Sequence, residues 1–319
     1  MRFGLGLAAA LALVTDLAQA EDIRLGFPLD CDIGKTCFIE DYVDHDPNPN
    51  RQTDYRCGLN SRDAHKGTDF ALLTFDAVTK GVDVFSAAPG IVFRTRDNMP
   101  DDRLMRDVTP ETACGNAVIV KHDNGWVTQY CHLKQGSVAV KPGDLVQTGT
   151  ALGLVGLSGQ TNHPHLHFSV YHDSNLIDPF QPGPLNSCTD ETEGLWVNPI
   201  VYHRTGILTA GITDHVPDLD SVRTGAARLT SNAPNQPIVL YMHAAHAEHG
   251  DVLRLTATGP SGEIFDHSMV LKSPKASQMQ AYGRKAPEQG WEMGHYVGEA
   301  TLSRKGEIIA HRFAHITVK

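Results

Sequence analysis

Apolar residues along this chain come in short runs rather than in long periodic stretches. Val82–Ala87, Gly90–Arg94, Ala117–His122, Trp126–Cys131 and His167–Tyr171 are such runs, separated by segments rich in Gly, Pro, Asn and Asp. No long segment holds a 3.6-residue period with helix caps, so the pattern predicts strands joined by turns. Asn124-Gly125, inside His122–Trp126, predicts a tight hairpin because both residues tolerate positive φ. Lys141-Pro142-Gly143-Asp144 predicts a second turn. Residues 97–113 carry many charges and the prolines Pro100 and Pro110, which suits a surface insertion between strands.

The pattern changes over residues 176–200, where Asp178-Pro179, Gly183-Pro184 and Asn198-Pro199 punctuate a boundary region. Strand-like runs resume at Pro237–His243, Asp251–Thr258, Ile264–Leu271, Gly294–Ser303 and Ile308–Val318. Their spacing predicts a β-sandwich over residues 205–319. That segment lacks the Cys…Trp…Cys spacing of immunoglobulin domains, so the analogy is one of shape alone. The expected organisation is an export signal over residues 1–20, a β-rich unit over 21–200 and the sandwich.

The export signal rests on Met1-Arg2, the apolar run Phe3–Val14, and small residues in Leu17-Ala18-Gln19-Ala20. The run is shorter than the roughly 20 residues of a membrane span, so no transmembrane segment is expected after signal removal. Six cysteines in an exported chain point to disulfides. Sequence leaves their connectivity open. The preferred pairing is Cys31–Cys37 as a small loop and Cys114–Cys131 across a hairpin, with Cys57–Cys188 following by elimination. Thiolate zinc ligation is disfavoured because no CxxC pair exists. The formal charge of −10 argues against nucleic acid as a partner.

Seventeen histidines say little by number; their positions matter. In a strand, His165 and His167 share one face, about 7 Å apart, while Leu166 points the other way into a core. In His65-Lys66-Gly67-Thr68-Asp69, the glycine lets an imidazole and a carboxylate converge on one ion. Zinc accepts His nitrogen and Asp oxygen, and catalytic sites keep a further position for water. Tyr130-Cys131-His132-Leu133 adds another histidine at a strand end. Each motif alone reads more readily as solvated or structural side chains than as a site.

Their order resembles the lysostaphin/LytM-type zinc endopeptidases of bacterial walls. The resemblance runs through His65-Lys66-Gly67-Thr68-Asp69-Phe70, Ala87-Ala88-Pro89-Gly90-Ile91-Val92 and Gly115-Asn116-Ala117-Val118-Ile119-Val120. It continues through Tyr130-Cys131-His132-Leu133, Gly143-Asp144-Leu145-Val146, Gly149, Gly153, Gly156 and Ser158 to Val170. It covers roughly residues 55–180. The resemblance implies a mainly β fold, in which an antiparallel β peptidase domain (LytM-like) precedes the C-terminal β-sandwich. It further implies one Zn2+ held by His65, Asp69 and His167, with His132 and His165 as the catalytic histidines. Here Gln160-Thr161-Asn162-His163-Pro164 stands where the family has Ser-Thr-Gly-Pro, so His163 replaces a customary glycine.

These residues suit zinc-assisted amide hydrolysis, with His132 and His165 as proton-handling groups because imidazole titrates near working pH. The implied substrate is the stem peptides of peptidoglycan, and the implied location is the periplasm or, failing that, the exterior. Alternatives are a non-enzymatic wall-binding or amidase-regulating protein, and a zinc peptidase acting on proteins. His243, His246 and His249 form a rival cluster expected to lie in a loop. Gly153–Gly159 lacks the Gly-Lys-Ser/Thr of a phosphate-binding loop. Lys66 reads as solvated.

Overall fold

The computed structural model describes residues 23–73, 75–102, 104–189 and 193–319. The expected export signal at residues 1–20 lies outside the described residues. The apolar runs of the first half become strands β1 (Cys37–Asp41), β2 (Thr68–Leu72), β3 (Asp83–Phe85), β4 (Gly90–Arg96) and β5 (Asn116–Lys121). They are followed by β6 (Trp126–Leu133), β7 (Leu145–Val146), β8 (Ala151–Leu154), β9 (His165–His172) and β10 (Asn175–Ile177). A short helix α1 (Phe75–Lys80) follows β2. Eight of the strands form one sheet in the order β1-β2-β9-β6-β5-β4-β7, with β10 beside β9, while β3 and β8 pair separately.

The expected hairpin turn is present: Asn124 and Gly125 take φ of 55° and 79° between β5 and β6. The second turn closes through a hydrogen bond from Asp144 N to Lys141 O at 3.1 Å. The charged insertion is tied down as well. Asp101 accepts from Leu157 N at 2.7 Å and Gln135 N at 3.0 Å, pinning the insertion to the Gly-rich stretch. Beneath the sheet, Phe70, Val118, Tyr130, Leu133, Leu166 and Phe168 are fully buried in one apolar core. Three disulfides are formed: Cys31–Cys37, Cys57–Cys188 and Cys114–Cys131. These are the pairs the sequence favoured.

The second half supplies β11 (Gly206–Thr213), β12 (Ser231–Asn232), β13 (Ile238–Ala247), β14 (Val252–Gly259), β15 (Gly262–Val270), β16 (Lys275–Arg284), β17 (Gly294–Arg304) and β18 (Glu307–Val318). Sheet β11-β13-β16 faces sheet β12-β18-β17-β14-β15. Between them Ile212, Leu240, Met242, Leu255, Ala300 and Leu302 are wholly buried, which makes the pair a sandwich. Helix α2 (Leu219–Thr224) is capped by Asp218, which accepts from Ser221 N at 2.8 Å.

One expectation fails here. His243 and His246 lie inside β13 rather than in a loop. His243 is 5% exposed, and its Nε2 meets Ser277 Oγ at 2.8 Å across to β16. The run Met242-His243-Ala244-Ala245-His246-Ala247 is an interior strand, flanked on both sides by partners, so alternation of polarity is muted.

Candidate metal centre

The site grows out of strand register. In the β2–β9 ladder Asp69 pairs with His167 and Ala71 with His165, while β6 places Cys131 opposite His167. Asp69 and His167 therefore share a face, and His165 joins them two residues along β9. Leu166 points to the opposite side and is fully buried in the core. His65 arrives from the loop ahead of β2, three residues before the strand starts. Gly67 is required between them: a Cβ there would stand 2.7 Å from His167 Cε1, His167 Nε2 and Phe168 O.

The three atoms expected to hold metal lie close together. His167 Nδ1 is 2.7 Å from Asp69 Oδ1, His65 Nε2 is 3.1 Å from Asp69 Oδ2, and His65 Nε2 is 3.2 Å from His167 Nδ1. All donor atoms of the set fall within 4.8 Å of one another, the one such group among the described residues. Asp69 is fully buried, and the side chains of His65 and His167 are 7% and 18% exposed.

His132 reaches the cluster by a backbone irregularity. Regular alternation would send it to the face away from Cys131 and His167. Instead the β5–β6 register shifts between Asn116 and Val118, and His132 takes φ of 63°. Its N–H bonds Cys114 O at 2.8 Å, and the Cys114–Cys131 disulfide clamps the same bulge. The His132 ring then sits 4.7 Å from the His165 ring and 6.0 Å from that of His167, centroid to centroid.

Hydrogen bonds fix the proton on each imidazole. His65 Nδ1 meets Tyr42 O at 2.7 Å, His132 Nδ1 meets Ser158 O at 2.8 Å, and His165 Nδ1 meets His163 O at 3.1 Å. A carbonyl oxygen only accepts, so each Nδ1 donates and each Nε2 is the nitrogen left for other partners, that of His65 lying 3.1 Å from Asp69 Oδ2. For His167 the arrangement is reversed. Ser169 Oγ donates to Lys66 O at 2.7 Å and so accepts from His167 Nε2 at 3.1 Å, while Nδ1 meets Asp69 Oδ1 at 2.7 Å. Such outward anchoring of the second nitrogen is how ligating histidines are held. The donor set fits a zinc ion.

Electrostatics follow from burial and proximity. Burial would raise the Asp69 carboxyl, but His65, His165, Arg62 and His167 hold it well below the usual carboxylate range. Burial pushes His65 down, yet Asp69 outweighs it and lifts His65 above 6.5. Burial, with His165 and His167 nearby, drives His132 far below 6.5. Burial and His163 lower His165 to about 4 against the pull of Asp69. Both are neutral bases at neutral pH.

Four further residues surround the cluster. Arg62 contacts Asp69 Oδ2 and bonds Asp41 Oδ2 at 2.7 Å. His163 stacks on His165 with centroids 4.6 Å apart and reaches Glu40 Oε2. Sequence reasoning marked His163 as a departure but gave it no partner, and it missed Arg62, Glu40 and Asp41. The charged pair Glu40-Asp41 inside the otherwise apolar run Cys37–Val43 was the available signal. Lys66 is exposed, as expected.

Two imidazoles and a carboxylate beside an antiparallel sheet, with two neutral imidazoles alongside, form a group that could hold one metal ion. Residues 63–179, which contain all five of these side chains, match the sequence model of Peptidase family M23. That stretch is thus similar to a peptidase M23 domain. Over 106 residues it is 32% identical to Peptidoglycan DD-endopeptidase ShyA of Vibrio cholerae, covering 33% of this chain and 20% of that one. Over 103 residues it is 35% identical to Cell division protein DipM of Caulobacter vibrioides, covering 32% and 15%. A solved zinc-containing peptidase from Vibrio cholerae is 26% identical, aligning 44% of this chain with 39% of that one at a TM-score of 0.29. The chain spans a fifth or less of the length of the two curated relatives.

Proposed function

We propose that the protein is an exported zinc metalloendopeptidase that hydrolyses the peptide cross-links of peptidoglycan. One observation carries the enzymatic half: four imidazoles each anchor one nitrogen on a fixed oxygen and turn the other inward, those of His65 and His167 onto the buried Asp69 carboxylate. In this reading His65 Nε2, one Asp69 oxygen and His167 Nδ1 hold the ion. When bound, zinc supplies Lewis acidity toward the scissile carbonyl and activates water for attack.

The remaining steps belong to the chain. His132 and His165, neutral at working pH, take a proton through Nε2 and return it to the leaving amine. Their protonated forms face Asp69, which is ionised and buried, so the imidazolium that forms has a counter-charge 3.7 Å from His165 Nε2. The substrate half of the proposal draws support from the M23 match and from the likeness to the peptidoglycan DD-endopeptidase ShyA. Export, with the periplasm as destination, draws support from residues 1–20 and from the disulfides.

The test is to incubate zinc-loaded protein with purified sacculi and analyse the released material by mass spectrometry. The expected result is soluble muropeptides cut in the stem peptide, lost with a chelator and restored by zinc. Binding to sacculi without release would favour a non-enzymatic wall-binding protein. Cleavage of protein substrates but not of sacculi would favour a general zinc peptidase.

A further inference from the structure

Strand β18 of the sandwich carries a charged side chain into the other half of the molecule. Arg312 donates from Nη1 to Glu40 Oε1 at 2.7 Å and from Nη2 to Asp41 Oδ1 at 2.9 Å, with a further contact from Nη1 to Asp41 Oδ2 at 3.2 Å. Its Nε donates to Ile207 O at 2.8 Å, so β11 holds the guanidinium in place from its own sheet. The Glu40 and Asp41 side chains are 3% and 0% exposed. Two adjacent carboxylates buried to this degree require fixed positive partners.

From those carboxylates two chains of contacts run to the metal centre. Asp41 Oδ2 takes Arg62 Nε at 2.7 Å, and Arg62 Nη2 contacts Asp69 Oδ2. Glu40 Oε2 contacts His163 Nε2, and the His163 ring lies on His165 at an interplanar angle of 20°. One guanidinium therefore stands behind both a ligand and a proton-handling histidine. Its planar fork can serve two carboxylates at once, which a lysine cannot do. Apolar contacts line the same junction: Phe38 packs on His311 and Phe75 on Phe313, with centroids 5.6 and 4.9 Å apart.

We propose that Arg312 is a positioning residue for the metal centre: by clamping Glu40 and Asp41 it sets Arg62 against Asp69 and His163 against His165. The sandwich is thereby a structural part of the site and not only an appended module. This inference rests on the zinc reading above. Outer-shell partners of this kind typically alter metal affinity by about 10–100-fold when removed.

Zinc affinity of the full chain, measured by competition with a chromophoric chelator, tests it alongside thermal unfolding of the metal-free protein. Arg312→Met is expected to weaken zinc binding about tenfold or more, with Arg312→Lys in between. Arg62→Met and the double variant Arg312→Met/Arg62→Met should bind zinc equally weakly, because of the two contact chains only the one through Arg62 ends on a ligand, Asp69. Phe38→Leu, which loosens the same junction without touching the clamp, should lower the unfolding midpoint and leave zinc affinity unchanged. An Arg312→Met protein that binds zinc like the parent overturns the inference, and so does a Phe38→Leu protein that loses as much zinc affinity as Arg312→Met. Should Arg312→Met fail to fold, Arg312→Lys against Phe38→Leu decides by the same criterion. A parent protein that binds no zinc removes the functional reading and this inference together, whereas zinc binding insensitive to Arg312 removes only the latter.

Discussion

The sandwich and the large sheet are both antiparallel, both contain histidines, and treat buried polar groups in different ways. In the sandwich, buried polar side chains find single local partners: His243 with Ser277, Asp251 with Arg304, Asn232 with the Pro237 carbonyl. In the large sheet Asp41, Asp69, His132 and His165 are buried around one point, and several of their atoms face one another. Burying polar groups in this way is unfavourable unless something satisfies them. In the sandwich neighbours suffice; around Asp69 imidazole nitrogens and a carboxylate converge in a group that could hold a metal ion. Convergence of donors, and not the abundance of histidine, separates a site from a scaffold.

The comparison breaks most sharply at the ligands. Replacing His65, Asp69 or His167 with Ala should abolish stoichiometric zinc and lower peptide turnover by about 1000-fold or more, the scale of a lost Lewis acid. His243→Gln in the sandwich should change neither quantity. Metal analysis with sacculus digestion decides it, and stoichiometric zinc in any ligand variant would refute that ligand. Next in size, His132→Ala and His165→Ala should keep zinc while turnover falls about 100- to 10,000-fold, the range of general acid–base catalysis. Full turnover in either variant would end its catalytic role.

A smaller effect contrasts two crowded glycines. At Gly67 a Cβ meets the His167 ring and the Phe168 carbonyl, whereas at Gly298 it meets the Leu240 side chain, nearest at 2.6 Å. Each Ala variant should lose about 1–3 kcal/mol of stability by overpacking. Only Gly67→Ala should also weaken zinc binding, read by chelator competition. The smallest effect is in pH. With His165 lowered to about 4 and His132 also depressed, both stay neutral as pH falls through 6.5. Turnover at saturating zinc should therefore hold below pH 6.5 and decline only toward the lowered values. An acid limb at or above 6.5 in a kcat–pH profile would contradict this assignment.

Much of the site was legible because its signals are local. His165-Leu166-His167 declares its face by strand alternation, and Gly67 separates His65 from Asp69 by the number of residues that strand entry needs. The sandwich followed from spacing of apolar runs, yet β16 went unread. Its sequence, Lys275–Arg284, is largely polar because it is an edge strand with one partner. The bulge at His132 was not legible either, since left-handed backbone at a histidine has no compositional mark. The clamp at Arg312 lies 271 residues from Asp41, a separation across which periodicity carries no information.

Strand order gives the Arg312 contacts a consequence in time. Every side chain of the metal cluster precedes β18 in the chain, so a polypeptide folding from its N-terminal side can assemble β2, β6 and β9 well before Arg312 is present. Glu40 and Asp41 then stay without their partner until the sandwich closes. A chain that folds in this order acquires the final geometry of the cluster last, when β18 brings Arg312 to Glu40 and Asp41.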